Sequence, residues 1–323
     1  MTAEVIQSIA TQLNVHPIHI RLFLSNFRIS SFEDILTSYK KYVKTNPKPF
    51  VKWVGGKRQL LKQFREMDLY PPHAFNPDTA TYFEPFVGGG AMFFDLLPKQ
   101  SVLSDMNPEL IITYHVIKTD VQDLIKKLKE HQTKNNKEYY LKIRRQDINK
   151  LSAVNTAARF IYLNRTGFNG LYRVNRQGQF NVPYGANKNP LICDKENLIK
   201  MHEALKNTEI LLQDYKEILG RAKKGDFIYF DPPYYPVSRT ASFTNYTKEG
   251  FLEKEQEELR DTFLTLHKRG CFVMLSNSDT EFIHNLYIDL DKNIKIHQVS
   301  AGRNINSKGD NRGKVKEVVV INY

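Results

Sequence analysis

Between residues 1 and 45 the apolar positions recur at helical spacing: Val5, Ile6, Ile9, Ala10 and Leu13, then Ile18, Ile20, Leu22, Leu24 and Phe27, then Phe32, Ile35, Leu36 and Tyr39. Ser31 and Asp34, just ahead of the last run, have the form of a capping box with Asp in place of the usual Glu. The pattern predicts a small helical extension over residues 1–47. Within it, Ile9 to Phe27 has the length of a helix-turn-helix, and a plain helical cap on the main body is the competing reading. Thr45-Asn46-Pro47-Lys48-Pro49 reads as a linker.

Beyond the linker the texture changes. Short apolar runs of strand length stand at Thr81–Pro85, Ser101–Ser104, Phe227–Phe230, Cys271–Leu275 and Val318–Ile321. Amphipathic stretches such as Pro108–Leu128 and Glu253–Lys268 lie between them. This alternation predicts an α/β fold, a largely parallel sheet with helices on both faces. No internal repeat or low-complexity tract interrupts it.

The middle of the chain differs again. From Ile148 to Cys193 there is no Asp or Glu, while Lys150, Arg159, Arg165, Arg173, Arg176 and Lys188 are all present. Phe168, Asn169, Tyr172, Asn175, Gln177, Gln179, Phe180 and Asn181 are interleaved with them. Arg and Lys meet phosphates, and Arg, Asn and Gln read base edges. A carboxylate-free stretch avoids repelling a nucleic-acid backbone.

Composition narrows the class. The 323 residues are 41% hydrophobic and 25% charged, an ordinary globular balance that excludes a disordered or fibrous chain. Lys and Arg outnumber Asp and Glu by 47 to 35, and the net charge of +12 suits a polyanionic partner. Two distant cysteines, Cys193 and Cys271, exclude a disulfide framework and a four-cysteine zinc site and point to a reducing, cytoplasmic setting. No metal site is expected. The N-terminus lacks the pattern of a secretory signal, and no apolar run is long enough to span a bilayer.

Three motifs carry chemistry. Phe83-Glu84-Pro85-Phe86-Val87-Gly88-Gly89-Gly90 follows a predicted strand, and its glycines allow a ligand close to the backbone. Asp105 stands at the end of the next strand, where a carboxylate accepts ribose hydroxyls. The pair predicts a nucleoside cofactor, and the departure from Gly-x-Gly-x-x-Gly favours one without a pyrophosphate. In Lys52-Trp53-Val54-Gly55-Gly56-Lys57 two glycines and a Lys precede a predicted helix, a setting for a carboxylate ligand. Asp231-Pro232-Pro233-Tyr234 ends an apolar strand at the carboxyl edge of the sheet. An acid, a fixed carbonyl and an aromatic face there form a clamp for an exocyclic amine on a planar base.

With these residues the chain resembles the Dam-type DNA adenine-N6 methyltransferases, the alpha-ordered D12 class, from about Lys48 to the C-terminus. The likeness extends through Arg165-Thr166-Gly167-Phe168-Asn169-Gly170-Leu171-Tyr172-Arg173 and Gly178-Gln179-Phe180-Asn181-Val182-Pro183-Tyr184-Gly185, and more weakly through Ser242–Tyr246 and Lys308–Lys314. The resemblance implies a class I S-adenosylmethionine-dependent methyltransferase fold, Rossmann-like. The catalytic domain would be residues 48–125 and 195–323, with a mainly helical target-recognition insert at 126–194. It implies S-adenosylmethionine held by Trp53, Lys57, Glu84, Phe86, Gly88, Gly90, Asp105 and Asp231, and catalysis by Asp231, Pro232, Pro233 and Tyr234 on an adenine flipped out of duplex DNA. Lys52, Arg165, Phe168, Asn169, Leu171, Arg173 and Pro183 fall at the DNA-reading positions. GATC is the expected target, and a cognate restriction endonuclease is an implied partner.

Competing readings stay open at this level. A dinucleotide-dependent oxidoreductase accounts for the glycines and Asp105 but not for Asp231–Tyr234. A DNA-binding regulator would use residues 1–45 as a helix-turn-helix on an inactive body. An RNA or protein amine, or cytosine N4, would serve as an alternative acceptor, although cytosine-N4 enzymes usually carry Ser or Asn in place of this Asp.

Overall fold

A computed structural model of the chain describes residues 2–13, 31–53, 55–237, 251–302 and 314–323, with four single positions between 14 and 30. Its centre is a seven-stranded sheet: β1 (Tyr82–Glu84), β2 (Ser101–Asp105), β3 (Thr208–Leu212), β4 (Phe227–Phe230), β5 (Phe272–Ser278), β6 (Lys295–Gly302) and β7 (Lys314–Ile321). The spatial order is β3-β2-β1-β4-β5-β7-β6. The first five strands run parallel, and β7 inserts antiparallel between β5 and β6.

Strand alternation explains why both faces are covered. In β4, Phe227 and Tyr229 join one apolar cluster while Ile228 and Phe230 join the other. Met274, Val319 and Ile321 side with the first, and Val273, Leu275, Val318 and Val320 with the second. A strand buried on two faces needs apolar residues at every position, which is why these segments read as unbroken hydrophobic runs. All five predicted strands are present. The two missed are the outermost, β3 and β6, where Glu209, Leu212, Lys295 and Gln298 are exposed and dilute the pattern.

The predicted helix Pro108–Leu128 is two helices, Pro108–Thr119 and Val121–Lys134, broken at Asp120, whose φ of −129° leaves the helical region. The second runs through the 125/126 boundary of the expected insert. Tyr140, Ile143, Phe160 and Val182 of the insert share an apolar cluster with Leu103, Tyr114 and Tyr229. Helix Ala153–Thr166 is buried almost all round, so it serves as a core element of the insert. In the N-terminal extension, Ala3–Leu13 and Phe32–Thr45 are helices with a separate apolar cluster of Ile9, Ala10, Ile20, Ile35, Leu36 and Tyr39. Ser31 caps the second by accepting from the Asp34 amide. Most of the Ile9–Phe27 helix-turn-helix candidate, and the motifs Ser242–Tyr246 and Lys308–Gly313, lie outside the described residues.

Candidate active site

In the sheet order, β1 and β4 are neighbours whose onward connections leave in opposite directions, so a crevice opens at their carboxyl ends. The glycine-rich turn after β1 and Asp231–Tyr234 after β4 both sit there. Gly88 has φ +45°, and a Cβ on it would come within 2.6 Å of the Trp53 ring. Only glycine brings this backbone against the indole. The Gly88 amide donates to Asp105 at 3.1 Å and the Asn107 amide at 3.0 Å. Burial pushes the Asp105 carboxyl up, and these amides hold it back. Each oxygen keeps a further lone pair for a ligand hydroxyl.

Lys57 is the hub of the crevice. Its side chain is 3% exposed, its ammonium lies 2.7 Å from Asp231 Oδ1, and it also donates to the Gly55 carbonyl. The same Nζ stands 4.7 Å from the centroid of the Tyr234 ring. Burial pushes the Asp231 carboxyl up to about 6, with Lys57 pulling it down and the Glu317 carboxylate pushing it up. Glu84, close by on β1, makes no ion pair among the described residues, and Lys57 lowers it only weakly. Burial drives it to about 8, although Tyr82 and the Phe93 amide both donate to its Oε2. At neutral pH the site therefore holds Asp231 as a carboxylate and Glu84 as a carboxylic acid.

The Asp-Pro-Pro-Tyr turn is held from below by buried amides. Gln256 Nε2 donates to the Pro233 carbonyl at 3.0 Å and accepts from Asn277, whose Oδ1 takes the Tyr235 amide. No hydrogen bond among the described residues takes the Pro232 carbonyl. Phe86 stacks on Tyr215 at 5.2 Å and meets Phe251 edge-on.

The basic middle segment folds over the same end of the sheet. Gly167 bridges to Tyr184 and Val174 to Phe180, making a looped ribbon. The Phe168 amide donates to the Pro183 carbonyl at 2.8 Å, and Phe168, Asn169, Arg173 and Pro183 are exposed on it, with Leu171 half-buried. Asn169 adopts a left-handed φ of 54°. Lys52 is exposed and its stem packs on Gly170. Arg173 is braced by Asn181, Nε to Oδ1 at 2.7 Å.

A model of the D12 class N6 adenine-specific DNA methyltransferases matches residues 53–305, more than half of the chain. The chain belongs to that family. It is 46% identical over 286 residues to the type II methyltransferase M1.LlaDCHI of Lactococcus lactis subsp. cremoris, across 87% of this chain and 97% of the relative. It is 42% identical to the type II methyltransferase M.MjaIII of Methanocaldococcus jannaschii, covering 85% and 99%. The DNA adenine methylase of Escherichia coli is 33% identical over 274 residues, covering 84% and 94%. An adenine-specific DNA methyltransferase requires a methyl donor and a DNA acceptor. Among the described residues no helix is long and apolar enough to cross a membrane.

In this methyltransferase the structure gathers Trp53, Lys57, Glu84, Gly88, Asp105, Asp231 and Tyr234 around one crevice. Gly90 backs it from the far side, where a Cβ would meet the Tyr114 hydroxyl at 2.6 Å. Arg165 lies apart from the exposed ribbon. Its guanidinium turns into a crevice lined by Phe50, Ile161, Ile192 and Asp194, and its buried Nε has no partner among the described residues.

Asn164 and Glu109, which no sequence motif marks, join the two halves together with Trp53, Tyr172 and Arg159. Asn164 accepts from the Lys52 amide at 2.8 Å and donates to the Lys52 and Gly170 carbonyls, tying the cofactor motif to the ribbon. Trp53 stacks on Tyr172 at 5.8 Å. The Tyr172 hydroxyl donates to Glu109, which is paired with Arg159 at 2.7 Å, both nearly inaccessible. Arg159 and Asn164 are both buried within helix Ala153–Thr166, where a polar group must find a partner.

Proposed function

We propose that the chain transfers the methyl group of S-adenosylmethionine to N6 of an adenine flipped out of duplex DNA, within GATC or a closely related site. The observation that carries this reading is the ion pair of Asp231 with Lys57, beside the Tyr234 ring, at the crevice that Gly88, Trp53 and Asp105 line. The donor set suits that cofactor: Asp105 for ribose hydroxyls, Lys57 for a carboxylate, and Trp53 beside a glycine-only backbone. S-adenosylmethionine, when bound, supplies a methyl group already activated by its sulfonium charge.

The adenine amine is a weak nucleophile because its lone pair is conjugated with the ring. Asp231 and the Pro232 carbonyl accept its two hydrogens, favour a tetrahedral nitrogen and stabilise the positive charge that develops on it. Lys57 keeps Asp231 ionised against the cost of burial. Gln256 and Asn277 hold the turn so that its acceptors need no reorganisation. Tyr234 stacks on the everted base. On the ribbon, Arg173 reads a guanine, Leu171 and Pro183 meet a thymine methyl, and Phe168 and Asn169 fill the gap in the stack. Lys52 reaches a guanine from the cofactor side. The names of the type II relatives support a cognate endonuclease as the biological partner.

Expression in a methylation-deficient host, followed by long-read sequencing of its DNA, reports the modified base and its context together. N6-methyladenine at GATC or a near variant is expected. Unmodified host DNA, with purified enzyme inert on duplex DNA and labelled donor, would reject the assignment.

A further inference from the structure

The geometry points to Glu317, on the antiparallel strand β7, as a positioning residue that fixes the Tyr234 ring for methyl transfer. The inference rests on the reading of Tyr234 as the side chain that stacks on the target base. Tyr234 Oη donates to Glu317 Oε2 at 2.8 Å. Lys57 Nζ lies 4.7 Å from the centre of the same ring and is itself bound to Asp231 at 2.7 Å. The ring is thus held at its hydroxyl end by one strand and beside its face by the hub cation. A side chain tied at both places presents one orientation to a base.

Glu317 is well placed for the task. It pairs with Ser278 of β5 and Val299 of β6, so a ladder on each side fixes its backbone. It precedes the buried run Val318–Ile321 and is itself half-buried. Among the described residues no cation pairs with it, and Tyr234 is its hydrogen-bond partner.

Its electrostatic setting argues against a merely structural part. Asp231 is faced by Lys57 from the Gly-Gly-Lys turn, Tyr234 from its own turn, Tyr229 from β4, Glu84 from β1 and Glu317 from β7. Of these, Glu317 pushes the Asp231 carboxyl up, an unfavourable like-charge contact. An apolar residue at this strand position would continue the valine run without that cost. What the carboxylate adds is a strong acceptor for the Tyr234 hydroxyl.

The test is a double-mutant cycle on kcat, with tritiated S-adenosylmethionine and a duplex carrying the site that host-DNA sequencing identifies. E317A and Y234F are each expected to lower kcat about tenfold, the scale of one lost ordering hydrogen bond, with the double variant no worse than either single. E317Q, whose amide oxygen still accepts from Tyr234, is expected to recover most of the E317A loss. Its acid limb should move to lower pH, because the negative charge near Asp231 is gone. Losses that multiply in the double variant, or an acid limb that stays in place in E317Q, overturn the role of Glu317 and leave the methyltransferase reading standing. A wild-type protein that methylates no adenine overturns both.

Discussion

Replacing Lys57 by Met tests the claim that one buried cation keeps the working carboxylate ionised. Met fills much of the volume of the Lys stem and removes the ammonium that lies 2.7 Å from Asp231. The site supplies its own reference for the outcome. Asp231 beside the cation is pushed up to about 6, and Glu84, more deeply buried and only weakly reached by Lys57, to about 8, which sets an upper reference for the shift. Losing Lys57 should move the acid limb of kcat from near the first value toward the second. At pH 7 the ionised fraction would fall from roughly nine-tenths to roughly one-tenth, about a tenfold drop in kcat that high pH restores. The assay is kcat against pH, at saturating donor and duplex, so that weaker donor binding does not masquerade as slower chemistry. An acid limb left in place, or moved to lower pH, would refute the reasoning.

The remaining predictions probe separate parts of the molecule. Glu84 has a folded value raised from 4.5 to about 8, so its contribution to stability is full below the lower value and lost as pH rises through the upper. Glu84→Gln should therefore gain on the wild type by about 1 kcal/mol per pH unit across that window, measured by denaturant unfolding at several pH values. Arg159→Met strands the buried Glu109 charge and should cost about 3–5 kcal/mol in thermal unfolding, whereas the paired replacement with Glu109→Leu should recover much of it. Arg173→Ala should cost roughly 1–3 kcal/mol and relax selectivity at one base pair, read by methylation of single-substitution duplexes; a uniform loss across sequences would make it a phosphate contact. Gln256→Leu frees the Pro233 carbonyl and one Asn277 donor, and should lower stability by about 1–3 kcal/mol and kcat with it.

The sequence alone determined the α/β class, the five inner strands, the three motifs and their order. These are local properties: strands buried on both faces must be apolar throughout, and a glycine turn or a diproline is written in adjacent residues. The edge strands were illegible because each keeps part of its surface in water. The break at Asp120 was equally hidden, since both helices it separates continue one apolar periodicity. The tertiary structure decided what the motifs do to one another. Lys57 and Asp231 are 174 positions apart in the chain, and the sheet order makes them an ion pair that sets the charge of the working carboxylate. Asn164, Gln256, Asn277 and Glu317 carry no motif. They matter because a buried polar group must find a partner, and in this fold the partners are the backbone and side chains of the crevice. Arg165 shows the reverse case. It sits within a run that reads as DNA-contacting, and its side chain shares a crevice with Asp194. Identity along a chain gives chemistry its parts, while direction, burial and charge at the site depend on long-range contacts that adjacent residues do not encode.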